Sequence, residues 1–155
     1  MGRISLRFWG CMIAAGPGPL VRTSARKNAQ KYVRILEENL VPYIREVVPG
    51  GQVSFIQDNC PVHKAAIVDN YFHRNEEIEA IQWPAHSPDL NPIENLWRMM
   101  VKEWQPRGAT TVEELEAHVH DLWNAFRRRH HIKFSAINAH ASSKVVEAAG
   151  DAFKY

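Results

Sequence analysis

From Asn91 the chain reads Asn-Pro-Ile-Glu, and apolar residues then recur at Ile93, Leu96, Trp97, Met100, Val101 and Trp104. This spacing draws one stripe along an α-helix, and such a helix must lie against another layer of structure. Asn91 suits the N-cap, Pro92 the first helical position and Glu94 the first turn. Short apolar runs precede the stripe at Val53–Gln57 and Ile78–Trp83, with a helical pattern over Lys64–Arg74 between them. Strands alternating with helices predict an α/β fold.

Upstream, Ile4–Ala14 reads as an extended segment, Gly16-Pro17-Gly18-Pro19 as a turn and Leu20–Thr23 as the second arm of a hairpin. Asn28 is placed to cap a helix whose apolar positions are Val33, Leu36, Leu40 and Ile44, with Pro42 kinking or dividing it. Pro49-Gly50-Gly51 ends that segment, and Pro84–Leu90 reads as a loop. After the break at Pro106-Arg107-Gly108, Thr111 and Glu114 form a capping-box pattern for a helix to about Arg128. His130–Tyr155 reads as a further helical segment and a tail.

A chain of 155 residues, 45% of them apolar, suits one domain with a real core. Its net charge is only +2, so contact with nucleic acid would need a local basic patch. Two such patches stand out, Arg22, Arg26, Lys27, Lys31 and Arg34, and the run Arg127-Arg128-Arg129-His130-His131. Cys11 and Cys60 make neither a disulfide framework nor a CxxC pair, which points to a reducing compartment. No apolar run reaches the roughly 20 residues of a membrane span. The apolar start is broken by Gly10 and reads as a strand entering a turn, not a leader.

Two carboxylates carry the chemical interest. Asp58 ends an apolar strand, at the sheet edge where ligands collect in α/β proteins, and Glu94 opens a helix. Residues 59–93 allow the chain to return to the same edge. Two hard oxygen ligands suit Mg²⁺, which leaves positions for water and phosphate oxygens. Each residue also has a plain reading: Asp58 and Asp89 as turn residues, Glu94 as a cap, and His63 as a surface or capping histidine. The Arg127–Arg129 run reads as a solvated helix end or as a phosphate contact.

Gln57-Asp58-Asn59-Cys60-Pro61-Val62-His63-Lys64-Ala65 resembles the Gln-Asp-Asn-Ala-Pro-x-His-x-Ala segment of Tc1/mariner-type transposases. Trp83-Pro84-Ala85-His86-Ser87-Pro88-Asp89-Leu90-Asn91-Pro92-Ile93-Glu94-Asn95-Leu96-Trp97 resembles a second segment of that family. Phe8-Trp9-Gly10-Cys11, Gly18-Pro19-Leu20 and Asn28-Ala29-Gln30-Lys31-Tyr32 look like its upstream half, and Gly150, Lys154 and Tyr155 like its usual end.

The resemblance covers residues 5–105 strongly, with 106–155 as a helical tail of a single partial domain. It implies an RNase H-like mixed sheet flanked by helices and a DDE/D acid triad holding Mg²⁺ or Mn²⁺, with no small-molecule cofactor. Asp58 would be the second acid and Glu94 the third. Implied partners are transposon-end and target DNA and a second copy of the chain, in the nucleus and away from membranes. Asn59, His63, Lys64, Arg127, Arg128 and Arg129 are the candidate DNA contacts.

The family's first acid lies on the first, central strand, but no Asp precedes Asp58, and Glu37, Glu38 and Glu46 fall on the predicted helix. The expectation is therefore a sheet lacking its first central strand, with bare edges beside the gap, and a domain inactive alone. The alternative is a transposon-derived module that binds DNA or protein without chemistry.

Overall fold

The middle of the sheet is filled by the last of the described strands. The computed structural model describes residues 5–13, 16–24, 28–81, 92–103, 111–137 and 145–154. The strands are β1 (Ser5–Ile13), β2 (Gly16–Thr23), β3 (Val53–Gln57), β4 (Ile78–Ile81) and β5 (Val145–Lys154). They lie in the order β2-β1-β5-β3-β4. β5 runs antiparallel to β1 and parallel to β3, which in turn pairs in parallel with β4. The helical tail expected over 106–155 is thus corrected: helix persists to Ile137, and Val145–Lys154 is strand. The gap expected beside β1 and β3 is occupied, so neither strand keeps a bare edge there.

Alternation along β1 divides the core into two. Trp9, Cys11 and Ile13 join Val53, Phe55 and the buried residues of α1 (Ala29–Ile35), α2 (Val41–Val47) and α3 (Ala66–Arg74). Leu6 and Phe8 join the other face, under α4 (Pro92–Glu103) and α5 (Val112–Ile137). Trp97 stacks on Trp123 at 5.0 Å, and Trp123 Nε1 donates to the Gly18 carbonyl at 2.9 Å. Gly10 permits this approach, because a Cβ there would stand 2.8 Å from the Trp123 ring.

Several local expectations hold. Asn28 caps α1 by accepting from the Lys31 amide, and Thr111 and Glu114 make both bonds of a capping box. Pro42 does divide its helix: a π-helical turn, Leu36–Leu40, separates α1 from α2. Others are corrected. Gly16-Pro17-Gly18-Pro19 is not the turn but the start of β2, and an edge strand accepts proline because one side of its backbone needs no partner. Val101 is 59% exposed although it continues the apolar repeat, since it lies at the flank of the stripe and no described element covers it. The loop Pro84–Leu90, with Asp89, and the residues Arg26, Lys27, Asn91 and Trp104 lie outside the described residues.

Candidate metal centre

The segment after β3 is closed by its own hydrogen bonds. The Asp58 carboxylate accepts from the Cys60 amide at 3.1 Å, an Asx-type turn. The Cys60 carbonyl then accepts from the amides of His63, at 2.8 Å, and Lys64, at 3.2 Å, with Pro61 at the turn position that its fixed φ favours. This turn carries the His63 ring back to Asp58, where Nδ1 meets Oδ1 at 2.6 Å.

His63 is 4% exposed, which corrects the surface reading; it is a buried ring paired with a carboxylate. Tyr32 of α1 stacks on it, with ring centroids 4.2 Å apart, and the Tyr32 hydroxyl donates to Gln57 Oε1 at 2.6 Å. Gln57 Nε2 reaches the His63 carbonyl at 3.4 Å. Burial, and then the negative charge of Asp58, push the Tyr32 hydroxyl well above its ordinary pKa. Tyr32 therefore stays a neutral donor to Gln57. Tyr32 and Gln57 fall within the family-like segments, but neither carries a charge or a ligand pattern that marks it as part of the site.

The Asp58 side chain is 45% exposed and borders an open groove of about 760 Å³ with Asn59, His63 and Lys64. That places three of the candidate contact residues beside Asp58, with Asn59 and Lys64 exposed.

Helix packing indicates where Glu94 lies. α4 and α5 run side by side in one direction, because Trp97 meets Trp123 and the Glu103 carboxylate accepts from Arg129 at 2.9 Å. Glu94 then stands level with His120, whose ring meets Phe8 edge-on at 5.8 Å. Phe8 is the register partner of Asp151 on β5, beyond the pairing of Gln57 with Ala148. Glu94 and Asp58 therefore belong to the same end of the sheet. The same chain of contacts puts Arg127–Arg129 at the other end. Arg127 lies a turn of α5 beyond Trp123, away from the level of Glu94, and Arg129 is engaged by Glu103 and lies over Phe126. The arginine run is not brought to Asp58.

The donors suit a divalent ion: a half-exposed carboxylate at a strand end, and a second carboxylate in the first turn of a helix aimed at that end. Along β5, Glu147 is in register with Met12 and Ile56, and Asp151 with Phe8.

Residues 5–116 match the DDE superfamily endonuclease family. The chain is 32% identical over 157 residues to the Tc1 transposase of Caenorhabditis elegans, covering 97% of this chain and 55% of that protein. It is 32% identical over 121 residues to the Tcb2 transposase of Caenorhabditis briggsae, covering 78% of this chain and 44% of that protein. The chain thus spans about half the length of the curated relatives it matches. The Mos1 mariner paired-end complex with Mn superposes with a TM-score of 0.69 at 21% identity, over 88% of this chain and 42% of that one. At that identity the likeness speaks for the fold, a mixed RNase H-like sheet with flanking helices. This chain therefore belongs to the DDE superfamily endonucleases, and it is similar to Tc1-type transposases.

Proposed function

We propose that Asp58 and Glu94 hold Mg²⁺ or Mn²⁺, that the domain derives from a nuclear transposase that cuts and joins DNA, and that residues 1–155 do not complete the reaction alone. The observation that carries this reading is the built loop around Asp58, which presents one carboxylate at the sheet end toward which α4 brings Glu94. A bound divalent ion there would polarise a phosphodiester and lower the pKa of a coordinated water. The chain's own part is to hold the ligands. His63 fixes the rotation of the Asp58 carboxylate, Tyr32 and Gln57 fix His63, and Lys64 offers a cation at the groove for a phosphate. DNA and a second copy of the chain are the expected partners, since a relative of the same fold is known as a paired-end complex.

Two carboxylates hold one ion; the spacing of a metal pair, about 3.5–4 Å, calls for a further bridging ligand. Groups that act as a unit are not additive, so an incomplete set forfeits nearly all of the rate. The expected result is Mn²⁺ binding that is lost in Asp58→Asn and in Glu94→Gln, with salt-sensitive DNA binding and no strand cleavage. A second reading has its own observation: β5 places Asp151 on the central strand, at the Asp58 end. Metal-dependent cleavage by residues 1–155 that disappears in Asp151→Asn would replace the inactive reading with that one.

A further inference from the structure

Cys60 stands where the family segment carries alanine, and it changes what the site can bind. The donor atoms of Asp58, Cys60 and His63 all lie within 4.8 Å of one another. Cys60 is partly exposed, Asp58 is half-exposed, and His63 closes the site from the buried side. A carboxylate, a thiolate and an imidazole form the donor set of a thiophilic ion, not of Mg²⁺.

We propose that Asp58, Cys60 and His63 form a Zn²⁺ site, with its fourth position open toward the groove. Zinc takes N and O donors at about 2.0–2.2 Å and S at about 2.3 Å, so neighbouring donors in a tetrahedron stand roughly 3.3–3.8 Å apart. The Asp58–His63 contact, now 2.6 Å, has to open by roughly 0.7 Å, within the reach of small χ rotations. Zinc binds a thiolate and a neutral imidazole, so affinity rises with pH. His63 is held in place beforehand by its stack on Tyr32 and by the turn at Cys60–His63, so little ordering is needed.

Zinc binding by these three donors does not depend on the catalytic reading. Displacement of Mg²⁺ or Mn²⁺ from Asp58 does rest on it, and would make Zn²⁺ an inhibitor of the hard-metal site.

The test uses the full chain, kept reduced, titrated with Co²⁺ as a spectroscopic stand-in and then with Zn²⁺. The expected sign is a near-ultraviolet thiolate-to-cobalt charge-transfer band that Zn²⁺ abolishes. Cys11 is completely buried, and burial pushes its thiol far above the usual range, so the band reports Cys60. Cys60→Ala removes the band and weakens Zn²⁺ by about a hundredfold or more, since even outer-shell changes cost about 10–100-fold. His63→Gln weakens it too, and an unchanged unfolding midpoint without metal shows that the fold is kept. Glu94→Gln leaves the band intact while abolishing Mn²⁺ binding, which separates this site from the catalytic proposal. Absence of the band, or its persistence in Cys60→Ala, overturns the assignment.

Discussion

The loop from Gln57 to Lys64 and the strand Val145–Lys154 meet at the same end of the sheet, yet they are built in opposite ways. The loop is built on near neighbours: the Asp58–Cys60, Cys60–His63 and Cys60–Lys64 bonds and the Asp58–His63 pair each close within a few residues, and Tyr32 stacks on it from afar. The strand is made by its partners, β1 on one side and β3 on the other. A segment with its own hydrogen-bond programme keeps its shape in many contexts. A segment whose backbone pairs only across the sheet has a shape only when the sheet exists.

The largest effect expected from this contrast is on deletion of residues 138–155. Without β5, the hairpin β1–β2 and the pair β3–β4 lose the strand that joins them and expose two edges. The deleted chain should show no cooperative unfolding transition and should aggregate; a sharp transition in urea would show that the halves do not need β5. Gln57→Ala should act locally. It removes the bonds to Tyr32 and His63, at about 1–3 kcal/mol, and should weaken Mn²⁺ and Zn²⁺ together while the sheet stays folded. Unaltered metal affinity would mean that the loop holds Asp58 without its scaffold. Tyr32→Phe keeps the stack on His63 and removes only the hydroxyl, so the loss should be about 1 kcal/mol by denaturant titration. A loss as large as that of Gln57→Ala would shift the scaffold's weight from Gln57 to Tyr32.

The same contrast explains what could be read from the sequence. The caps at Asn28 and Thr111, the strand before Asp58 and the stripe from Ile93 to Met100 are local patterns, and they stand in the structure as the residues imply. Asp58 and Glu94 were legible as a candidate pair because each sits at an element end. β5 was not legible: Ala148, Ala149, Gly150 and Ala152 have neither the β-branched alternation of a strand nor a turn signal, and its strand state comes from two distant partners. His63 read as exposed because spacing says nothing of a Tyr32 ring lying over it. The Arg127–Arg129 run is written as a patch, but only the tertiary path of α5 shows that it points away from Asp58.

That the sheet's middle strand follows all of its neighbours in sequence has a consequence for how the protein is made. Pairing β1 with β5 joins Ser5 to Lys154, nearly the longest separation the chain allows. Such contacts raise the contact order and slow folding. During synthesis, at about 5–20 residues per second, the hairpin and the β3 segment must wait with open edges until β5 has been made. A lesion that removes Val145–Lys154 would take away the centre of the sheet and leave its rim.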